Sequence, residues 1–147
     1  MPINLLQTTL IFFCLLTLTI SNTCGGNCPS NKCATCDCGN VPIHPDLNQV
    51  CYGPDWNQAC CKCIILKLSG GNQKYMEADD SGVVISMGLF NTKKTDMNFY
   101  CPGMYWPSMC STDTFYYSVK CAYQTYQKVG WNLWKTQAQQ CGCPVQS

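Results

Sequence analysis

Apolar positions mark out two helical stripes with a short β-branched run between them. The run Trp56, Ala59/Cys60, Cys63/Ile64, Lys67/Leu68 follows helical spacing. Pro54 precedes it, Asp55-x-x-Gln58 has the capping-box pattern, and Gly70-Gly71 stops it, so a helix is predicted over 55–68. A second stripe, Phe115, Val119, Ala122/Tyr123 and Tyr126, predicts a helix from about 112 to 128, with Ser111, Thr112 or Asp113 as cap and Gly130 as terminator. A last short helix is expected from Trp131 to about Gln139, and another around 46–51. Between the stripes, Asp79-Asp80-Ser81-Gly82 is turn chemistry, and Val83, Val84 and Ile85 follow it. A small antiparallel sheet of two or three strands is therefore expected within 72–92. Residues 93–111, where Pro102, Gly103 and Pro107 alternate with Tyr100, Tyr105 and Trp106, read as a loop. Helix, small sheet, then helices is an α+β order, mainly helical.

Cysteine usage adds a compartment to this pattern. The stretch from Leu5 to Ile20 is uncharged and largely apolar, but its dense core, Leu10 to Leu16, is shorter than the roughly 20 residues of a membrane span. Residues 1–21 are expected to be a signal peptide cleaved after Ser21, the alternative being an uncleaved anchor. Such a cleavage would leave 14 of the 15 cysteines in the remaining 126 residues. That density reads as a disulfide scaffold in a secreted protein, or one held in the lumen of the secretory or endolysosomal pathway. Cys24, Cys28, Cys33, Cys36 and Cys38 crowd the loop-like segment 22–54, expected to be a crosslinked N-terminal cap that forms one domain with a core over 55–147. Cys51, Cys60, Cys61 and Cys63 flank and occupy the first helix, and Cys101, Cys110, Cys121, Cys141 and Cys143 would tie the C-terminal elements. Zinc is the competing use of Cys33-x-x-Cys36-x-Cys38 and Cys60-Cys61-x-Cys63, disfavoured by an oxidising lumen; no metal or cofactor is expected. Nine lysines against eight acids, with no arginine, lack the basic stripe that nucleic acid requires. A monomer with no membrane partner after cleavage is expected.

The order of elements and four sequence features resemble the lysozyme superfamily. Ser69-Gly70-Gly71-Asn72 resembles the E-S-G-G-N element of lytic transglycosylases and related lysozymes. Gly88-Leu89-Phe90 resembles the G-L-[FW]-Q-I-N element that crosses the cleft floor. Trp56-Asn57-Gln58-Ala59-Cys60-Cys61-Lys62-Cys63 is similar to the W-N-Q-x-C-C-K-C helix start of cysteine-rich secreted lysozyme-like proteins of single-celled eukaryotes. Cys121-Ala122, Trp131-Asn132-Leu133-Trp134 and Cys141 look like the ending of C-type lysozymes. The resemblance covers roughly residues 24–143. It implies a lysozyme-like fold with a glycan cleft lined by Ser69, Asn72, Tyr75, Gly88, Leu89, Phe90 and Asn91. Tyr105 and Trp106, on the aromatic loop, are further binding candidates.

The departures fall on the chemistry. Leu68 stands where the family has its general-acid glutamate, Ser86 where C-type lysozymes carry a second carboxylate, and Asn91-Thr92-Lys93 replaces Q-I-N. Glycoside hydrolysis needs a positioned carboxylic acid, and general acid catalysis is worth about 10²–10⁴-fold. Glu77, the sole glutamate, and Asp80 are the possible substitutes. His44, the sole histidine, lies in a loop between Pro42 and Pro45 and suggests no triad. The expectation is a catalytically degenerate pseudoenzyme that binds glycan, such as peptidoglycan or chitin, or another partner in its cleft. The alternatives are an active lysozyme-type glycosidase using Glu77 or Asp80, and a disulfide-rich module that binds a secreted or cell-surface protein.

Overall fold

Asn57 starts the first long helix: its side-chain oxygen accepts from the Cys60 backbone N–H over 2.9 Å. In the computed structural model, which describes residues 24–146, that helix is α2, Gln58–Ser69, preceded by the short α1, Leu47–Val50. The expected signal peptide lies outside the described residues. The helix therefore begins three residues after the expected Asp55. Trp56 explains the delay. Its indole Nε1 donates to the Cys51 carbonyl and its ring is buried, so the chain turns inward there before it can coil. Gly70, at φ 62°, closes α2 in the left-handed conformation that the glycine pair predicted.

Three antiparallel strands follow, β1 Met76–Ala78, β2 Val84–Met87 and β3 Thr92–Lys93, in the order β1-β2-β3. The Asp79 carboxylate caps the β1–β2 turn, accepting from Ser81 N–H, Ser81 O–H and Val83 N–H. These bonds, the Ser81 hydroxyl's first, hold its carboxyl below the usual range. The register pairs Met76 with Met87 and Glu77 with Ser86, and then Ser86 with Lys93 and Met87 with Thr92. Side chains alternate across a sheet, so Glu77, Ser86 and Lys93 form one row on one face, while Met76, Met87 and Thr92 share the other.

Residues 93–111, expected as a loop, contain α3, Lys94–Tyr100, and a 3-10 turn, Trp106–Cys110. Neither has a side-chain cap, and α3 buries only Met97, so the sequence carries almost no periodic signal there. Helix α4 spans Tyr116–Val129. It starts later than the expected 112 because Ser111 and Thr114 hydroxyls accept from backbone N–H groups two residues on, which hold a turn. A 3-10 segment, Gly130–Trp134, then leads into α5, Lys135–Gln140, dividing the single helix expected there.

Two cores result. In the larger, Phe90 lies between Trp56 and Trp134, at ring-centroid distances of 5.7 and 5.5 Å, and Trp131 stacks on Trp56 at 5.6 Å. The smaller is sulfur-rich: Met76, Met87, Met97 and Met109 are buried around the Cys38–Cys110 disulfide, with the Met87 sulfur 3.4 Å from Cys110 Sγ. All 14 described cysteines are paired, as Cys24–Cys36, Cys28–Cys33, Cys38–Cys110, Cys51–Cys61, Cys60–Cys143, Cys63–Cys141 and Cys101–Cys121. The scaffold is thus more interlinked than three local clusters. Cys38 joins the N-terminal segment to the 3-10 turn, and α2 is bolted twice to the C-terminal tail. Among the described residues no helix is long and apolar enough to cross a membrane.

Candidate functional site

The row Glu77–Ser86–Lys93 leads across the sheet to a pocket at the end of α2. Its cavity, about 190 Å³, is walled by Leu68 from α2, Ala122 of α4 and Leu133 and Trp134 of the 3-10 segment. Polar groups supply the rest: Asn91, Thr92, Lys93 and Asp96 from the β3–α3 corner, Thr125 from α4 and Gln137 from α5. Leu68 is half-buried and packs against the larger core. The pocket wall at the helix end is therefore hydrocarbon, with no ionisable group.

Glu77 stands beside this pocket, caged. Tyr75 O–H donates to its Oε1 over 2.7 Å, and Ser86 O–H and Asn91 Nδ2–H donate to Oε2 over 3.3 and 3.1 Å. Asn91 belongs both to the cage and to the pocket lining, so it is the one side chain that joins the sole glutamate to the cavity. It adopts φ 44°, a conformation that asparagine tolerates better than other non-glycine residues. Burial, and then the Glu77 carboxylate that accepts its proton, hold the Tyr75 phenol well above its usual range. The arrangement can fix a carboxylate in place, but it leaves no oxygen of Glu77 without a donor.

Asp80, the other possible substitute, does not belong to this site. It lies in the β1–β2 turn, 97% exposed, and its carboxylate pairs with Lys32 of the N-terminal segment. An acid that must deliver a proton needs a partly desolvated position within reach of the substrate, which an exposed turn does not supply.

Several expected cleft residues serve the fold instead. Leu89 and Phe90 have no exposed surface and fill the larger core, so neither presents a face to a ligand. Ser69 is buried, and its hydroxyl donates to the Ile65 and Leu89 carbonyls, tying α2 to the strand exit. Asn72 is buried in a network: its Oδ1 accepts from Ile43 and Lys74 N–H, and its Nδ2 donates to Asn27 Oδ1. Gly88, at φ 82°, lies so close to the Met109 carbonyl that a Cβ would come within 2.3 Å of it, so it sets chain packing. Tyr105 is exposed and Trp106 half-buried; Tyr105 lines a separate depression with Met104, Tyr117 and Lys120, away from Leu68.

Thr92, Lys93, Asp96, Thr125 and Gln137 were not among the expected site residues. Asp96 in particular lies in α3, inside the stretch read as a loop. Lys93 and Asp96 have no ion-pair partner among the described residues, where the sole ion pair is Lys32–Asp80. Compared with known protein families, curated proteins and solved structures, the chain matches none of them.

Proposed function

We propose that the protein is a secreted, lysozyme-like, catalytically degenerate glycan-binding protein, holding a sugar in the pocket beside Leu68 without cleaving its glycosidic bond. One observation carries this reading: the pocket at the end of α2 is walled by the Leu68 side chain, yet carries six polar side chains suited to hydroxyl and amide groups. Its half-buried Leu68 and Leu133 side chains offer an apolar contact of the kind that the face of a sugar ring meets. Seven disulfides suit the oxidising compartment in which cell-wall glycan would be met.

The test is co-sedimentation of the oxidised protein with insoluble peptidoglycan and with chitin, paired with an assay for released reducing ends. Retention without release supports the reading, and Asp96→Ala with Gln137→Ala should weaken retention. No retention on either polymer would favour a protein-binding module instead.

A second reading has a specific observation behind it. Asn91 links Glu77 to the pocket, so a substrate that displaced the Asn91 amide would bring the cage next to the scissile bond. Released reducing ends that disappear in Glu77→Gln would establish that alternative.

A further inference from the structure

Helix α4 lines a second depression that shares no residue with the pocket beside Leu68. It encloses about 540 Å³, inside the roughly 300–1,000 Å³ range of small-molecule sites. One wall is Val50, Tyr52 and Pro54 around the end of α1, and the other is Phe115, Val119 and Tyr123 of α4. Both walls are anchored. Cys51, next to Tyr52, is bonded to Cys61 of α2, and Tyr123 meets Trp56 edge-on at 5.5 Å. Tyr52 and Tyr116 are largely exposed, so the groove is open to solvent along one side.

Its electrostatics are one-sided. Of the side chains lining it, Lys120 alone is charged, and no acid is among them. The ammonium sits over the Tyr116 ring, 5.6 Å from the centroid, and has no ion-pair partner among the described residues. Apolar walls favour a hydrocarbon body, and a lone cation at the rim favours one negative charge at its end. A sugar chain would need many polar partners, and the groove offers little beyond Gln49, Thr114 and the tyrosine hydroxyls.

We infer that this groove binds a monoanionic amphiphile, a free carboxylate with a single medium-length alkyl chain, with its head at Lys120 and its tail against Val119, Phe115 and Tyr52. The site is independent of the glycan pocket, and either can fail without the other. The test is calorimetric titration of the oxidised protein, below micellar concentrations, with decanoate, octanoate, decanol and decylammonium. Each buried methylene is worth about fourfold in affinity, so decanoate, longer by two, should bind about fifteenfold more tightly than octanoate. A partly exposed ion pair should favour decanoate over decanol by about two- to fivefold, and decylammonium should be weakest.

Lys120→Met should erase the preference for decanoate over decanol and leave decanol unchanged. Tyr52→Ala, at an exposed position, should weaken both. Circular dichroism matching the parent protein certifies each variant as folded. Absence of saturable decanoate binding, a flat chain-length series, or a preference for decanoate that survives in Lys120→Met would overturn the assignment. So would displacement of decanoate by a chitin oligosaccharide, which would make the groove a sugar site.

Discussion

Glu77 and Ser86 face each other across the β1–β2 ladder, and the Ser86 hydroxyl donates to Glu77 Oε2 over 3.3 Å. Ser86 is 1% exposed, so this part of the sheet accommodates one carboxylate and the donors that neutralise it. A second carboxylate at position 86 would stand directly beside the first. Ser86→Asp is therefore expected to cost about 1–3 kcal/mol at pH 7. The cost comes from its like-charge contact with half-buried Glu77 and the lost Ser86 hydrogen bond, partly offset by Lys93 on the other side of the row. The like-charge part of the deficit should grow as pH rises from about 4, where carboxylates of the unfolded chain ionise, and be absent below it. Urea denaturation of both proteins between pH 3 and pH 7 measures it; a deficit independent of pH would point to steric strain instead.

The Tyr75 phenol donates its proton to Glu77 and is held above its usual range by burial and by that bond. The folded state keeps this proton when the unfolded state has already lost it. Its contribution is therefore fully present below about pH 10, the ordinary tyrosine value, and declines as pH rises beyond it. Tyr75→Phe should flatten that alkaline decline and lower stability at pH 7 by about 1.5–3 kcal/mol, the worth of a hydrogen bond to a charged group. Denaturation midpoints from pH 8 to pH 11 give both quantities, and an unchanged alkaline slope in the variant would count against the bond.

Glu77→Gln and Asp80→Asn separate a caged carboxylate from a solvated one. The first leaves the Tyr75, Ser86 and Asn91 donors facing an amide, which supplies one oxygen instead of two, and should cost about 1–3 kcal/mol. The second removes an exposed pair with Lys32 and should shift the thermal midpoint little, with any effect fading at high salt. Equal losses would contradict the assignment of Asp80 to the surface.

Phe90 and Tyr105 were both binding candidates, and truncation should divide them. Phe90 is fully buried between Trp56 and Trp134, so Phe90→Ala should cost about 3–5 kcal/mol. Tyr105 is 75% exposed, and Tyr105→Ala should stay within about 0.5 kcal/mol of the parent. Thermal unfolding of the two variants is sufficient.

What the sequence made legible were features that announce themselves locally. The glycine stop after α2, the Asp79–Gly82 turn and the α4 stripe all follow from spacing and turn chemistry. The α2 start was misplaced because Asp55-x-x-Gln58 satisfies the capping pattern, whereas the anchoring of the Trp56 indole to Cys51 is a tertiary contact invisible to it. Helix α3 went unseen because two turns with one buried residue have no periodicity to read, and Asp96 was lost with it. Disulfide connectivity was never deducible from spacing, since Cys38–Cys110 and the two bonds from α2 to the tail span more than 70 residues each. The burial of Phe90 was not readable from the string at 88–90, because the rings that cover it arrive from Trp56 and Trp134.

The most direct measurement is turnover by the oxidised protein of a peptidoglycan suspension, followed by turbidity and by released reducing ends. With a leucine at the pocket wall and the sole glutamate caged, the protein is expected to sediment with the polymer while turbidity and reducing ends stay at the level of the buffer control. Clearing of the suspension with release of reducing ends would contradict the central claim.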